Sequence, residues 1–540
     1  MQPLEDRRLL SAVPVGPEFL VNTTTDRGQS APSAAMAPSG DFVLVWSSAT
    51  LTNSHIFAQR YNAAGAPQGS EIHVDTTGFG AGSPSVAMDS AGNFFVAWQS
   101  RFEGNDWGIT ARRYDAAGVP QGDDFVVNTF TVGPQQNPSV AMDADGDAVI
   151  AWESYGQDGD MFGVFARRIN SAGVPLGPEF QVNTVTANEQ RRPSVAMGSG
   201  GDFIVAWDSK YQDGSFEGIY AQAYSAAGVP QGGEFRVNNA TGASQAFPSV
   251  DVAADGSFVV AWQHEVVGGW HVNARQYTRT DTDGDGVPEI APTGNEFQVN
   301  TVISSILAHP VLATDAEGNF VVAWTRNQDI YARAYDAAGS ALDPEFRVNS
   351  FTANDQRDPA VAVDTDGDLV IAWQSQNQDG SQDGIFAQRY LLDTDAPANV
   401  QIVDDNDPGF SKIGPWANGL GGRENHHFLA TEYQGSPPEI ASFWSFDDVL
   451  PGRYRVSATW FSFGASASIY TNAAPFTVTD SDVGQVRGTT LINQRQMPND
   501  FTDDGSPWED LGVFDIVGSS IFVQLDSVPL NPNLQYVVAD

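Results

Sequence analysis

One unit of sequence recurs seven times between residues 16 and 392, and this repeat limits the fold more than any other feature of the chain. Each copy contains an apolar run that ends in tryptophan, and successive tryptophans are 49 to 62 residues apart. The seven positions are Trp46, Trp98, Trp152, Trp207, Trp262, Trp324 and Trp373. Seven copies at this period predict an architecture in which neighbouring units cover each other's apolar faces. We therefore expect these tryptophans in the core.

Each unit divides into four short strands, A to D, of the types PSVAM, FVVAW, IFAQRY and EFxVN. An Asp-x-x-Gly-Asp/Asn turn joins A to B, and a DAAGVPQG-type turn joins C to D. The unbroken apolar run of strand B, as in Phe203 to Trp207, predicts that both of its faces are buried. On strand D, Phe180 and Val182 are expected to share one face. No unit has helical periodicity, so the prediction is an all-β fold.

The two ends of the repeat region predict that it closes on itself. A strand of the D type, Glu18 to Asn22, precedes the first strand A, and no such strand follows the last strand C, Ile385 to Tyr390. The N-terminal strand can therefore complete the seventh unit and remove an open edge. The region resembles bacterial β-propeller repeats and predicts a seven-bladed β-propeller over residues 16–392. An open solenoid is the alternative. The recurrent arginines, such as Arg333 and Arg389, are expected to serve blade packing.

Charge limits the partners of the chain. It has 67 acidic and 26 basic side chains, a net charge of −41, and no cysteine. Such a field repels nucleic acid and anionic membrane surfaces, and favours calcium, cationic partners or neutral glycans. Without cysteine, disulfides and thiolate zinc sites are excluded. No apolar run approaches the roughly 20 residues that span a bilayer, so membrane insertion is not expected.

The connections between strands differ in how far they vary among the seven copies. The A–B and C–D turns are nearly identical, whereas the B–C and D–A connections vary in length and content. In a propeller the two variable sets lie on the same face, which is the expected recognition surface. Aromatic rings beside Asp and Asn are typical of sugar sites, because a ring covers the apolar sugar face. The candidate ligand-binding residues are Phe102, Trp107, Tyr155, Tyr211, Phe216 and Trp270. The alternative is that these rings cap the blade ends.

The fifth unit carries an insertion, TDTDGDGVPEIAPTGN, that has the spacing of a calcium loop. Asp281, Asp283 and Asp285 alternate, a glycine follows, and Glu289 comes four residues after Asp285. The stretch resembles thrombospondin-like and dockerin-like calcium loops. Because the acid usual at the twelfth position is replaced by Pro292, weak binding is expected, with a Kd of roughly 10⁻⁴–10⁻³ M. An acidic solvated turn is the alternative.

The repeat stops after Tyr390, and residues 393–398 read as a linker. Residues 399–540 contain, in order, a DDNDPGF opening, a GRYRVSATWF strand, NAAPFTV, a WEDLG step and a final VVAD. This ordered set resembles the golvesin/xanthan-lyase carbohydrate-binding-like domain. The resemblance implies a jelly-roll-like β-sandwich that accompanies secreted bacterial proteins. The last strand of that family runs further than Asp540, so we expect the domain to be truncated at its C-terminus.

The N-terminal segment, residues 1–15, contains LEDRRLLS, which resembles the LEPR-XLL motif of large planctomycete surface and secreted proteins. This resemblance implies an extracellular or cell-surface location. No nucleophile elbow, HExxH motif or phosphate loop is present, and the turns differ from sialidase Asp boxes. The sequence favours a non-enzymatic protein that binds polysaccharide or cell-surface glycan. An adhesion or scaffold protein that binds other surface proteins, and a propeller glycoside hydrolase or sialidase-like enzyme, are the alternatives.

Overall fold

All secondary structure in the described residues is β-strand, which confirms an all-β fold. In this computed structural model the described residues are 12–25, 27–50, 53–76, 80–101, 107–281, 287–306, 308–342, 344–392 and eleven strands beyond residue 400. The chain divides into two compact units, Met1–Ala396 and Pro397–Asp540. Among the described residues there is no helix with the length and apolar character needed to cross a membrane.

The first unit contains the N-terminal strand β1 (Ala12–Leu20) and seven antiparallel sheets, as far as its described residues show. The first three sheets are β2 (Gln29–Met36), β3 (Phe42–Ala49), β4 (Ser54–Tyr61), β5 (Ile72–His73); β6 (Ala81–Met88), β7 (Phe94–Arg101), β8 (Trp107–Tyr114), β9 (Phe125–Val126); and β10 (Gln135–Met142), β11 (Ala148–Tyr155), β12 (Phe162–Ile169), β13 (Phe180–Gln181). The next two are β14 (Gln190–Met197), β15 (Phe203–Lys210), β16 (Glu217–Tyr224), β17 (Pro230–Arg236); and β18 (Gln245–Val252), β19 (Phe258–Val266), β20 (Gly269–Thr280), β21 (Glu289–Pro292), β22 (Phe297–Gln298). The last two are β23 (Val311–Thr314), β24 (Phe320–Arg326), β25 (Asp329–Tyr335), β26 (Phe346–Arg347); and β27 (Gln356–Val363), β28 (Asp368–Gln376), β29 (Asp383–Leu392).

The N-terminal strand completes the seventh sheet, as the sequence predicts. Its strand order is β1-β29-β28-β27, so β1 takes the place of strand D. The strand begins at Ala12, and a bulge between Val15 and Phe19 interrupts its pairing with β29. Glu18 accepts the backbone N–H of Ser350 in the sixth repeat at 2.7 Å. Glu234 of the fourth sheet makes the same bond to Thr184 at 2.6 Å, so the N-terminal strand repeats the contact of an ordinary strand D.

The sheets form a closed ring. Strand A of each sheet contacts strand A of the next, in the order β2, β6, β10, β14, β18, β23, β27 and back to β2, which places these strands at the centre. Each apolar cluster of this unit joins two consecutive sheets, and the one that joins the seventh to the first contains Val21, Trp46 and Val370. Arg389 of the seventh sheet also donates to the carbonyl of Ala63 in the first. Burial of these faces supplies the main stabilisation.

Strand B is buried on both faces, as its apolar run predicts. Residues Phe203 to Trp207 have no exposed surface, and all seven repeat tryptophans are at most 1% exposed. The recurrent arginines link neighbouring sheets: Arg333 donates to the carbonyl of Val299, 3.0 Å away, in the preceding repeat. Both residue types therefore serve packing, in agreement with the sequence interpretation.

The Asp-rich A–B turns are held by their own side chains. Asp143 Oδ1 accepts the backbone N–H groups of Asp145 and Asp147, at 3.0 and 2.9 Å, and Gly146 has a φ of +87° that favours glycine. Asp147 Oδ1 in turn accepts the N–H of Ser171 in the C–D turn, at 2.8 Å. These acids form turns, as expected, and connect the two turns of one sheet.

The described residues of the second unit also lie in strands. They are β30 (Phe410–Ile413), β31 (Trp416–Gly419), β32 (His427–Ala430), β33 (Ala441–Asp447), β34 (Gly452–Ala458), β35 (Ala474–Asp480), β36 (Gln485–Ile492), β37 (Phe501–Asp503), β38 (Ser506–Ile516), β39 (Ser520–Asp526) and β40 (Val538–Ala539). They pair as one five-stranded sheet, β30-β33-β39-β35-β36, and two three-stranded sheets, β31-β32-β40 and β34-β38-β37. Phe476, Val478, Ile521 and Val523 are buried.

Candidate functional site

Seven residues with a strained backbone, one in each repeat, surround the centre of the first unit. In every sheet the residue before the proline of strand A has a φ between +42° and +56°. These residues are Ala31, Ser83, Asn137, Arg192, Phe247, His309 and Asp358. A residue before proline normally adopts an extended backbone, and a non-glycine residue in this region costs about 1–3 kcal/mol. In six sheets a β-bulge accompanies it.

In the second, third and fifth repeats the residue after the core tryptophan supports this strained backbone across the sheet interface. Gln99 Oε1 accepts the N–H of Asn137 at 3.1 Å, and Glu153 Oε2 accepts the N–H of Arg192 at 3.0 Å. Glu153 has no exposed surface. The third and fourth repeats therefore have a carboxylate, Glu153 or Asp208, where the second, fifth and seventh repeats have glutamine.

Two arginines neutralise these buried carboxylates. Arg191 Nη2 lies 3.2 Å from Glu153 Oε1, and Arg192 Nη1 lies 3.0 Å from Asp208 Oδ1. Burial raises the pKa of Asp208 from 3.8 to about 7, although Arg192 acts in the opposite direction. These four residues thus combine two buried carboxylates with two partly exposed guanidinium groups near the strained backbone positions.

The same contacts continue through the fifth, sixth and seventh repeats. The guanidinium of Arg192 stacks on Phe247, 4.1 Å from the ring centre, and Phe247 lies 4.3 Å from His309. His309 Nδ1 is 3.1 Å from Asp358 Oδ1. Aromatic and charged side chains therefore line this part of the centre, whereas the first two sheets contribute Ala31 and Ser83.

Exposed aromatic rings lie beside the charged group on the third sheet. Tyr155, at the end of strand B, is 47% exposed, and its ring meets Phe162 at 5.2 Å. Arg191 lies over the other part of this pair, 4.4 Å from the ring centre of Phe162. Arg191 thus connects the buried carboxylate Glu153 with the aromatic surface.

The fourth sheet continues this surface. Glu189 pairs with Arg191 at 4.0 Å and with Lys210 at 3.4 Å, and Lys210 lies 5.6 Å from the ring centre of Tyr211. Tyr211 is 51% exposed and Phe216, in the same loop, 55%. We name the whole set the aromatic band: Tyr155, Phe162, Glu189, Arg191, Lys210, Tyr211 and Phe216. It is a contact-linked surface with exposed rings at both ends and paired charges between them.

The structure does not place all predicted aromatic residues in this surface. Phe102 lies outside the described residues. Trp107 is half-buried beside Arg101, 5.8 Å from its ring centre. Trp270 is half-buried, and its backbone exchanges two hydrogen bonds with Ser304, at 2.8 and 3.0 Å. Of the predicted set, Tyr155, Tyr211 and Phe216 offer exposed rings.

The Gln-Asp-Gly steps of the B–C loops have an internal role. Gln212 donates to Glu234 at 2.6 Å, and Asp213 Oδ1 accepts the N–H of Ser215 at 3.0 Å. The Asp213 carboxylate also fills the space beside Gly218, where an added Cβ would lie 2.8 Å from it. These polar groups therefore shape the loop, and the glycine at the start of strand C is needed where this loop is present.

The described part of the fifth-unit insertion extends a pair of antiparallel strands. Strand β20 pairs with β21, and Thr280 lies opposite Glu289, so Asp281 and Glu289 flank the end of the ladder. Asp283 and Asp285 lie outside the described residues. Since this pair of strands extends from the C–D connection, it lies at the end of the sheet opposite the B–C loops.

Sequence reasoning missed the charged centre. Glu153, Asp208, Arg191 and Arg192 sit at repeat positions that vary among otherwise similar strands. The position after the tryptophan reads Ser, Gln, Glu, Asp, Gln, Thr and Gln along the seven copies. The sequence signal that could have found them is the variation at this single position of the otherwise constant strand B.

Comparison with known proteins gives no family. No protein-family model matches the chain, and no curated protein matches it. Among solved structures it is similar to the polysaccharide lyase Uly1 (13% identity, 70% of this chain and 92% of that one, TM-score 0.45). It is also similar to an ulvan lyase of a new polysaccharide lyase family (11%, 69% and 96%, TM-score 0.41) and to the β-propeller domain of the Trilobed protease from Pyrococcus furiosus (10%, 72% and 99%, TM-score 0.37). A function for this chain therefore has to come from its own residues.

Proposed function

We propose that the chain is a secreted or cell-surface, non-enzymatic protein that binds polysaccharide with its aromatic band. The observation that carries this proposal is the arrangement of Tyr155, Tyr211 and Phe216, which are about half exposed on a rigid scaffold. Clusters of exposed apolar side chains on a monomeric protein commonly mark a binding site. A flat aromatic ring suits the apolar face of a sugar. Covering about 60 Å² of one ring contributes about 1.5 kcal/mol.

The charges favour a neutral polysaccharide. Both cations of the band, Arg191 and Lys210, are already paired with Glu189, at 4.0 and 3.4 Å. The chain as a whole carries a net charge of −41, which repels polyanions. Hydroxyl groups of a neutral sugar can accept from and donate to these partly exposed groups without breaking the pairs.

The proposed architecture is a seven-bladed β-propeller followed by a jelly-roll-like β-sandwich. The closed ring of seven antiparallel sheets, six with four strands and one with five, supports the propeller, and the three antiparallel sheets beyond residue 400 support the sandwich. The resemblance of residues 399–540 to the golvesin/xanthan-lyase domain adds a second surface for the same polysaccharide. The LEPR-XLL-like motif, residues 4–11, lies outside the described residues and supports the extracellular location.

Binding without turnover is proposed because the central carboxylates are occupied. Glu153 accepts from Asn137 at 2.9 Å and from the N–H of Arg192 at 3.0 Å, besides its pair with Arg191. Glutamine at the equivalent position in the second repeat makes the same backbone bond. The pKa of Asp208, near 7, favours the hydrolase alternative, since active sites perturb carboxyl groups in this way.

A glycan array with the intact chain, followed by a reducing-end assay on every hit, tests the proposal. We expect retention of neutral polysaccharide without release of reducing ends. Release of reducing ends that is lost in Asp208→Asn establishes the enzyme instead. Absence of any glycan ligand removes the proposal and leaves the adhesion or scaffold role, in which the band contacts other surface proteins.

We also propose that the fifth-unit insertion binds calcium weakly through Asp281, Asp283, Asp285 and Glu289. The pairing of Thr280 with Glu289 supports this, because it brings the first and last acids of the set to one end of a ladder. Calcium there would stabilise the end of the β20–β21 ladder rather than contact the polysaccharide.

A further inference from the structure

The first sheet combines three residues, at positions that lie together, that the other six sheets do not combine. His55 occupies the start of strand C, where the second, third, fourth and seventh sheets have glycine. Asp75 follows strand D, where the other repeats have asparagine. His73 occupies the strand-D position held elsewhere by Leu20, Val126, Gln181, Arg236, Gln298 and Arg347. Only the first repeat therefore has a potential metal ligand of the histidine or aspartate type at all three positions, whereas the fifth and sixth repeats have one only at the first, His271 and Asp329.

The three side chains converge on one carboxylate. Asp75 Oδ2 lies 2.9 Å from Nδ1 of His55, and Asp75 Oδ1 lies 3.3 Å from Nε2 of His73. One ligand atom from each residue falls within 4.8 Å of the others. The Asp75 side chain is 2% exposed, that of His55 20% and that of His73 51%, so the group is anchored inside and open on one side.

Neighbouring residues hold the group in place. Asp75 Oδ1 accepts the N–H of Ile56 at 2.6 Å, the bond that asparagine makes in the other repeats. Phe57 stacks on the ring of His73 with 5.0 Å between centroids and 15° between planes. In the fourth sheet a residue larger than glycine would meet the Asp213 carboxylate, whereas the first repeat has no Gln-Asp-Gly loop, which leaves space for His55.

We propose that His55, His73 and Asp75 bind a divalent transition metal ion of the zinc class. Ligand atoms about 2.0–2.1 Å from one zinc ion, at tetrahedral angles, lie about 3.3 Å apart. The 2.9 Å between His55 Nδ1 and Asp75 Oδ2 is close to one edge of such a tetrahedron, and His73 Nε2 lies 3.3 Å from the other oxygen of the same carboxylate. One ligand atom of each residue already lies within 4.8 Å of the others, so a small rotation of the side chains completes the geometry. Two imidazoles and one carboxylate suit zinc better than calcium, which prefers oxygen ligands alone.

Three protein ligands leave one position for water or another oxygen ligand. The site lies where strand C begins and strand D ends, at the end of the sheet that carries the B–C and D–A connections. It is separate from the aromatic band of the third and fourth sheets and from the fifth-unit insertion, and it goes beyond the proposed polysaccharide binding.

Zinc titration of the full chain by calorimetry, after chelator treatment and in excess calcium, tests the site. Calcium saturates the acidic surface, so that a zinc signal reports imidazole ligands. We expect one saturable site, and at least a ~100-fold loss of affinity in Asp75→Asn and in His73→Gln, because even indirect partners of a metal are worth 10–100-fold. Both replacements are residues found at these positions in other repeats, so folding should be retained.

His271→Gly is the matched control. His271 occupies the position of His55 in the fifth sheet, but Asn300 stands there in place of the aspartate. Zinc affinity should be unchanged in this variant, and cobalt should give the visible absorption of a tetrahedral site in the wild type and not in Asp75→Asn. Equal zinc binding by wild type and Asp75→Asn, or no saturable site in the wild type, overturns the proposal and leaves a hydrogen-bonded triad.

Discussion

Asn22 tests whether the N-terminal strand is an integral part of the ring. Its side chain is 2% exposed, its Oδ1 accepts the N–H of Ile385 at 2.7 Å, and its Nδ2 donates to the carbonyl of Thr24 at 3.0 Å. Asn128 makes the same two bonds within the second sheet, to Ile109 at 2.7 Å and to Phe130 at 2.8 Å. The bond between Asn22 and Ile385 joins opposite ends of the repeat region, whereas the bond between Asn128 and Ile109 joins residues of one repeat.

Truncation of either side chain to alanine should cost the same free energy of unfolding. Asn22→Ala leaves the N–H of Ile385 without a partner, and Ile385 has no exposed surface. An unsatisfied buried donor costs about 1–3 kcal/mol. Asn128→Ala leaves Ile109, equally buried, in the same state. We therefore expect both variants to lose about 1–3 kcal/mol, provided that the ring unfolds as one unit.

Guanidinium unfolding followed by tryptophan fluorescence measures both values, since seven of the 13 tryptophans are core residues of the ring. Deleting residues 1–23 also removes Glu18 and Val21, and should cost more than Asn22→Ala. An Asn22→Ala variant as stable as the wild type, beside a destabilised Asn128→Ala, would refute the reasoning, because the N-terminal strand would then be attached without supporting the ring.

Two further predictions concern charge. Burial raises the pKa of Asp208 from 3.8 to about 7, so the native state holds this proton more tightly than the unfolded chain, and its contribution is full below about pH 4 and lost as the pH rises to 7. Between pH 4 and 8 the wild type should therefore lose up to about 3–4 kcal/mol more unfolding free energy than Asp208→Asn, as measured by urea unfolding. The control Asp145→Asn, in an exposed turn, should behave like the wild type. For the fifth-unit insertion, calorimetry should detect calcium with a Kd of roughly 10⁻⁴–10⁻³ M in the wild type and not in the Asp283→Ala, Asp285→Ala double variant; equal heats in both would place the ion elsewhere.

The architecture could be predicted because each of the seven repeats carries the same pattern of strands and turns. Apolar runs that end in tryptophan, as at Trp207, have one physical solution, a strand covered on both faces, and Gly146 marks a turn by its backbone needs. The closing role of Glu18 to Asn22 followed from counting strands. Such local patterns carry through because an apolar cluster of similar strand positions joins each pair of adjacent sheets.

The site was predicted only in part, because exposure depends on neighbours that the repeat pattern does not specify. Tyr155 and Tyr211 are exposed as expected, whereas Trp270 is half-buried because its backbone pairs with Ser304, a residue of the next connection. Asp208 and Arg192 lie in different strands and meet only after the bulge turns Arg192 toward the centre. Contacts between residues on different strands produce no recognisable spacing motif in the sequence.

The most direct measurement of polysaccharide binding by the aromatic band is calorimetry with the best neutral glycan from the array. Tyr155→Ala with Tyr211→Ala should weaken binding at least ~10-fold, because each exposed ring contributes about 1 kcal/mol or more. The control, Val174→Ala with Val229→Ala, removes equally exposed side chains from the C–D turns of the same two repeats and should leave the Kd unchanged. Unchanged binding in the tyrosine variant, or equal losses in both variants, would contradict the account.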